Sequence, residues 1–381
     1  MYNHENGSVR VLHIAEKMAA AGIESFIMNN YRRIDRTKVQ FDFLVLRNQK
    51  EFYDEEIKAL GGRKYFVESS KKNTFLRVLD ESKQIERFLK ENKYDIVHIH
   101  YTTPLRAPYL HAALKAGCKV RIYHSHSAYV LGKNKVKLAI YNFMRKKISK
   151  WGTHFFACSE AAAKWMYEES LLSAKKHRVI YNGIDVEKFK FNADIREKIR
   201  EELNIQDKFV MIHTGRFLEQ KNHCFIVDVF EKFKKEKCNN ACLLLLGIGP
   251  LQDEIKDKVK EKGISDDVIF LDVKPDVYNY LSAADCYIMP SLYEGLPVAA
   301  VEAECSGLPC VFSTNITKEI ALIDKTTFLS LDDSIEKWCD AILKYKDCER
   351  KDCSEIIRSH GYNAQDVADN LQRFYLLNEM K

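Results

Sequence analysis

Residues 286–303 read CYIMPSLYEGLPVAAVEA. Cys286–Pro290 is a short apolar run with the composition of a strand buried on both faces. Gly295 and Pro297 then mark a tight turn, and the alanine-rich run from Val298 has helix composition. A strand that passes through a short turn into a helix is the unit of a parallel α/β sheet. Amides at such a helix start have no partner within the helix and favour a negatively charged group. Glu294 precedes that start and Glu302 lies about one turn inside the helix, so both carboxylates are placed to face one ligand. Carboxylates accept hydrogen bonds from sugar and ribose hydroxyls and are poor partners for phosphate.

The same alternation runs outward in both directions. Strand-like runs precede it at Arg10–Ile14, Phe41–Leu46, Ile96–His100, Lys119–Tyr123, Phe155–Cys158 and Val179–Tyr181. In the second half they recur at Phe209–Thr214, Cys242–Gly247, Val268–Leu271 and Pro309–Phe312. Amphipathic helical stretches such as Ile23–Arg33, Phe75–Asn92, Phe225–Lys235 and Leu251–Lys262 separate them. The turn dipeptide Asn182-Gly183 and a charged segment to Glu202 interrupt the pattern, which restarts at Phe209. With 381 residues the chain has the length of two domains. The expected architecture is therefore two doubly wound, Rossmann-like parallel-sheet domains facing across a cleft, residues 1–185 and 186–360, with ligands at the carboxyl ends of the strands. A last segment, 361–381, is expected to form a helix packing back toward the N-terminal domain.

Hydrophobic residues make up 46% and charged residues 30%, which excludes disordered and fibrous classes. No apolar run approaches the roughly 18 residues of a membrane span, and the polar start Met1–Arg10 does not read as a secretory signal. Eleven cysteines without a C-x-x-C pair fit reduced thiols in a cytoplasmic setting. The net charge of +6 divides into about +14 for residues 1–185 and about −8 for 186–381. The densest basic stretch, Lys133–Lys150, carries Val136, Leu138, Ile140, Phe143, Met144 and Ile148 at spacings of one helical face. It fits a helix packed on its own domain or one drawn to an anionic membrane surface. No nucleic-acid motif or interleaved stacking aromatics accompany it, so nucleic acid is not an expected partner.

Three further segments carry chemistry. Small residues in Ala15–Glu24, ending at Gly22, let a phosphate or sugar approach the start of the first helix, although one glycine is not a dinucleotide fingerprint. His98-Ile99-His100 and His124-Ser125-His126 each put two imidazoles on one face of a strand. They suit a ligand contact at a cleft mouth or a structural role; no carboxylate or cysteine is spaced to complete a metal site. Gly215 lets the chain turn at the end of Phe209–Thr214, and Arg216 and Lys221 beyond it are two fixed cations suited to a diphosphate.

Glu294 and Glu302, in the E-x7-E pattern of Glu-Gly-Leu-Pro-Val-Ala-Ala-Val-Glu-Ala, stand in order with Gly-Arg-Phe-Leu-Glu-Gln-Lys-Asn (215–222), Tyr-Asn-Gly-Ile-Asp (181–185) and Leu-Gly-Ile-Gly-Pro-Leu (246–251). Together these motifs resemble the family-4 retaining glycosyltransferases of the GT-B fold along nearly the whole chain. Gly-Ile-Glu-Ser-Phe-Ile (22–27) and the His-Ser-His pair resemble the bacterial subgroup that builds capsules and exopolysaccharides. The resemblance implies that Arg216 and Lys221 hold the donor diphosphate, with no metal ion or other cofactor. It implies that Glu294 contacts the transferred sugar, Glu302 the ribose, and the backbone of Gly295, Leu296, Pro297 and Val298 the sugar and phosphate. His126 or His124 would contact the sugar near the reacting carbon. Two departures are Ala21-Gly22 where the family has paired glycines, and Thr314-Asn315-Ile316-Thr317, which lacks a glycine common after the last core strand.

The expected activity is transfer of one sugar from a nucleotide sugar, a UDP-sugar above all, to a lipid-linked saccharide at the cytoplasmic face of the membrane. The alternatives are a UDP-sugar 2-epimerase on the same scaffold and a catalytically inactive subunit that docks a synthase to the membrane. The sugar, the acceptor and the linkage are not encoded in these motifs.

Overall fold

The computed structural model describes residues 7–19, 22–127 and 135–379. The polar start Met1–Asn6, Ala20-Ala21 of the first loop and Lys133 of the basic stretch lie outside those residues. The chain divides into two compact units, 1–183 with 364–381, and 184–363. The expected boundaries at 185/186 and 360/361 therefore fall two and three residues from the observed crossings.

Unit 1 is a seven-stranded sheet of β1 (Val9–Ala15), β2 (Val39–Val45), β3 (Lys64–Phe66), β4 (Ile96–Tyr101), β5 (Val120–Ser125), β6 (His154–Ala157) and β7 (His177–Val179), in the order 3-2-1-4-5-6-7. Unit 2 is a six-stranded sheet of β8 (Phe209–Thr214), β9 (Ala241–Leu246), β10 (Val268–Leu271), β11 (Cys286–Met289), β12 (Cys310–Ser313) and β13 (Thr326–Leu329), in the order 10-9-8-11-12-13. All pairings within the sheets are parallel. β8, β9 and β11 are buried along their whole length, as continuous apolar strands between two helix layers must be. The strands that escaped the sequence reading, β3 and β13, lie at sheet edges, where half-exposed positions tolerate Lys64, Thr326 and Thr327 and no apolar run marks the strand.

Each sheet reverses its winding once, between β1 and β4 in unit 1 and between β8 and β11 in unit 2. Loops leaving the carboxyl ends of those neighbours diverge and leave room for a ligand. Helix Ala364–Glu379 belongs to unit 1, where Val367, Ala368, Leu371, Phe374 and Tyr375 join Phe26 and Ile27 of helix Gly22–Arg33 in one core layer. The one aspartate buried in the unit 1 sheet among the described residues is paired. Asp42, fully buried in β2, accepts from Arg10, Arg63 and Tyr94, including 2.7 Å contacts from Arg10 Nε and Tyr94 Oη.

Helix Lys135–Trp151 departs from the one-face expectation. Only Tyr141 and Ile148 are buried, while Val136, Leu138, Ile140 and Phe143 are exposed. The helix carries six basic residues and no acidic one. An apolar groove beside it is lined by Phe75, Val78, Leu79, Leu105, Ile140 and Met144. No helix among the described residues is long and apolar enough to cross a membrane.

Candidate active site

In unit 2 the segments singled out from sequence leave neighbouring strands at the switch point. β8 ends at Thr214, and Gly215-Arg216 follow; β11 ends at Met289, and Pro290 to Pro297 lead into helix Val298–Cys305. The two loops are stitched together. Leu292 N–H donates to the Gln220 carbonyl at 2.9 Å, Gln220 Nε2 donates to the Tyr293 carbonyl at 2.9 Å, and Asn222 Nδ2 donates to the Pro290 carbonyl at 3.2 Å. Across this seam Lys221 Nζ donates to Glu294 Oε1 at 2.6 Å, and Gln220 Nε2 donates to Glu294 Oε2 at 3.2 Å. The pair is largely shielded, with side-chain exposures of 17% for Lys221 and 9% for Glu294. At such depth a charge-assisted hydrogen bond strengthens, and removing one partner strands the other.

Arg216 is exposed, on the same loop. No side-chain cap closes the start of helix Val298–Cys305, so its first amides remain available to an anion. Pro297 is buried and Leu296 packs on the unit 2 core, which fixes the backbone of Gly295–Val298. Glu302, half-buried one turn in, has its carboxyl pushed up to about 7 by desolvation. Two residues on, Glu304 is fully buried and pushed up to about 8 by burial, against hydrogen bonds from Thr326 Oγ1 and Leu322 N–H. Glu304 ties helix to sheet; Glu302 is the carboxylate left for a ligand.

Unit 1 holds the histidines. His13, His98, His100, His124 and His126 share one face of β1, β4 and β5, under Phe26 and Tyr375. They form two hydrogen-bonded rows: His13 Nδ1 to His100 Nε2 (2.9 Å) and His100 Nδ1 to His126 Nε2 (2.9 Å), then Tyr375 Oη to His98 Nδ1 (2.7 Å) and His98 Nε2 to His124 Nδ1 (3.2 Å). Burial lowers the pKa of every ring in the cluster, to about 3 for His13 and His126. His98, His100 and His124 are fully buried rather than at a mouth, whereas His126, just beyond β5, is half-buried. Of His124 and His126, only the latter is partly exposed. Two triads, His13, His98, His100 and His100, His124, His126, bring ring nitrogens within 4.8 Å of one another. Within each triad two ring nitrogens already face one another in a hydrogen bond, His13 Nδ1 with His100 Nε2 in the first and His100 Nδ1 with His126 Nε2 in the second. Gly22, also in unit 1, opens helix Gly22–Arg33, and a Cβ there would meet nothing within 4 Å.

A model of the glycosyltransferase family 4 matches residues 20–188, and a model of the glycosyl transferases group 1 matches residues 195–360. A putative glycosyltransferase, EpsF of Bacillus subtilis strain 168, is 34% identical over 386 residues, spanning 98% of this chain and 97% of the relative. The chain is a family 4 glycosyltransferase. The glycosyltransferase is also 24% identical to a UDP-Gal:α-D-GlcNAc-diphosphoundecaprenol α-1,3-galactosyltransferase of Escherichia coli, over 97% of each chain. Another relative is the capsular polysaccharide biosynthesis glycosyltransferase CapH of Staphylococcus aureus, 24% identical over 97% of this chain and 99% of that protein. Among solved structures, HepE of Anabaena in complex with UDP matches with a TM-score of 0.68 at 16% identity, over 98% of both chains, and WaaG matches with a TM-score of 0.65. The fold is GT-B.

Sequence reading of this glycosyltransferase missed the supports of the Arg216 loop. Gly247 has φ +137°, and a Cβ there would lie 2.1 Å from the Gly215 carbonyl oxygen; one at Gly249 would lie 2.5 Å from that of Phe217. The 246–251 segment is thus a bed on which Gly215–Phe217 lies, with Gly215 N–H donating to the Leu246 carbonyl and Phe217 N–H to that of Ile248. The signal was available in the paired glycines of Leu-Gly-Ile-Gly-Pro. Gln220, which holds Glu294 from the side opposite Lys221, carried no such signal.

Proposed function

We propose that this glycosyltransferase moves one sugar, with retention of anomeric configuration, from a UDP-sugar to a lipid-linked saccharide in the assembly of a cell-surface polysaccharide. The observation that carries the reading is the Lys221–Glu294 pair, built across loops that leave β8 and β11 at the switch point. Breaking the bond between the anomeric carbon and the phosphate oxygen leaves negative charge on the diphosphate and positive charge on the sugar. Arg216, Lys221 and the amides at Val298 oppose the former; Glu294, fixed by Lys221 and Gln220, opposes the latter. Preorganised groups of this kind supply several kcal/mol. The acceptor oxygen bonds the same face of the carbon, and its proton passes to the departing phosphate oxygen, so no protein base and no metal ion is assigned. Glu302 would hold the ribose and His126 the sugar.

The UDP-sugar donor is supported by the UDP-galactose-dependent activity for which the Escherichia coli relative is named and by the UDP complex of HepE. The acceptor class is supported by that relative and by an N-acetylgalactosaminyltransferase of Campylobacter jejuni that acts on a diphospho-undecaprenol saccharide, 28% identical over 132 residues. The basic helix Lys135–Trp151 and its exposed apolar residues support work at an anionic, cytoplasmic membrane face.

The test is transfer of labelled sugar from a panel of UDP-sugars to undecaprenyl-diphosphate-linked saccharides, with and without EDTA. Transfer that is insensitive to EDTA, lost in Lys221→Ala and Glu294→Ala, and yields a product with the donor's anomeric configuration is expected. Near-normal turnover in both variants would remove the site assignment.

A further inference from the structure

Five imidazoles in the core of a parallel sheet are a costly choice where aliphatic side chains would pack without polar atoms. The row His13, His100, His126 has a property that follows from counting protons. A neutral imidazole carries one N–H and one bare nitrogen. His13 Nδ1 faces His100 Nε2 at 2.9 Å, and His100 Nδ1 faces His126 Nε2 at 2.9 Å. Each contact needs one N–H and one lone pair. Only two arrangements satisfy both: all three rings protonated at Nδ1, or all three at Nε2. Any mixture sets N–H against N–H or lone pair against lone pair, so the three tautomers are locked together.

The buried end of the row chooses between them. His13 Nε2 has no hydrogen-bond partner and sits in the fully buried layer that includes Phe41 and Phe43. The all-Nε2 arrangement strands an N–H there, and the all-Nδ1 arrangement strands a lone pair. Among buried backbone groups an orphan N–H is rarer than an under-satisfied acceptor, and the same ordering favours the all-Nδ1 arrangement here. At the other end, His126 Nδ1 meets no hydrogen-bond partner among the described residues, and the ring is half-buried.

We infer that His13 and His100 are positioning residues that fix the tautomer of His126, so that it presents a neutral Nδ1–H donor beyond the carboxyl end of β5. The lowered pKa values of all three rings agree with a neutral row. Under the function proposed above, on which this reading of purpose rests, His126 would offer a hydrogen bond to a hydroxyl of the bound sugar at every working pH. It would not add a positive charge beside the carbon where positive charge develops. His126 would touch substrate; His100 and His13 would act through it.

The experiment is long-range proton–nitrogen correlation NMR of the full chain labelled with 15N-histidine, in which protonated and bare imidazole nitrogens resonate far apart. In the wild type, His126, assigned by its absence from His126→Gln, is expected to show protonated Nδ1 and bare Nε2 from pH 6 to 8. In His100→Phe the two nitrogens of His126 are expected to move toward averaged positions as both tautomers become populated, and His13→Phe is expected to give a smaller shift in the same sense. A wild-type His126 protonated at Nε2, or already averaged, overturns the inference even if neither variant folds. An unchanged His126 pattern in a folded His100→Phe overturns it as well. Ordered tautomers in a protein that transfers no sugar would leave this inference standing and remove the functional reading alone.

Discussion

Lys221 and Glu294 make the sharpest demands of any residues in unit 2, because each is the other's counter-ion at low exposure. Lys221→Ala leaves a shielded carboxylate with only Gln220, and Glu294→Ala leaves a shielded ammonium. Either should destabilise the fold by about 1–3 kcal/mol in chemical unfolding. Glu294→Gln keeps an acceptor for Lys221 and should cost less than either. Equal losses for Gln and Ala would mean that the hydrogen bond is not what orders the seam. Glu302 adds a pH dependence. With its carboxyl near 7, it becomes a full-strength acceptor only as pH rises through that value, so nucleotide-sugar affinity should increase between pH 6 and 8 and flatten in Glu302→Gln. The four charged residues stood out in the sequence through the E-x7-E pattern and the Gly-Arg-Phe-Leu-Glu-Gln-Lys-Asn segment. Their pairing did not, since nothing in sequence order says that Lys221 spends its charge on Glu294 or that Gln220 joins them.

At the level of elements, paired loops are held by main-chain contacts that admit only glycine. Gly247→Ala would drive a methyl group into the Gly215 carbonyl from a backbone conformation unfavourable to any L side chain. It should cost about 2–4 kcal/mol and shift the Arg216 loop, weakening donor binding while helix Val298–Cys305 stays intact. Normal stability and affinity in that variant would show that the two loops are independent. The interior strands announced themselves through continuous apolar runs, and Cys286–Met289 followed by a turn was sufficient to set the sheet type. Edge strands Lys64–Phe66 and Thr326–Leu329 did not, because one exposed side frees their sequence from that pattern. Helix Lys135–Trp151 was left open between two readings for a related reason. Apolar spacing identifies a stripe, and only the neighbouring elements decide whether the stripe is covered.

The whole molecule titrates through its interior. Six buried histidines and the half-buried His126, the cluster of five with His213 and His223, are held neutral below their usual range by desolvation. Above about pH 6.5 folded and unfolded chains carry them alike. Below it the unfolded chain takes up protons that the folded chain refuses, so stability falls from about pH 6.5 toward 3, by as much as about 1.4 kcal/mol per pH unit for each ring. Glu302 and Glu304 act in the opposite sense, keeping a proton in the folded state and losing that advantage as pH rises through about 7 and 8. Maximal stability is therefore expected near neutrality, with steep loss by pH 5 in urea titrations; a flat profile from pH 7.5 to 5 would contradict a neutral histidine core. The alternation of strand and helix foretold two sheets, while a histidine layer inside one of them was visible only as two isolated His-x-His pairs. His13 stands alone in β1 and gave no sign of belonging to it.

Calorimetric titration of the UDP-sugar that supports transfer, into wild type, Lys221→Ala and Arg216→Ala at matched pH and salt, reaches the heart of the account. Loss of a charge-assisted contact to diphosphate predicts affinity about 10–100-fold weaker in each variant. Binding as tight in both as in the wild type would mean that the donor phosphate is held somewhere else.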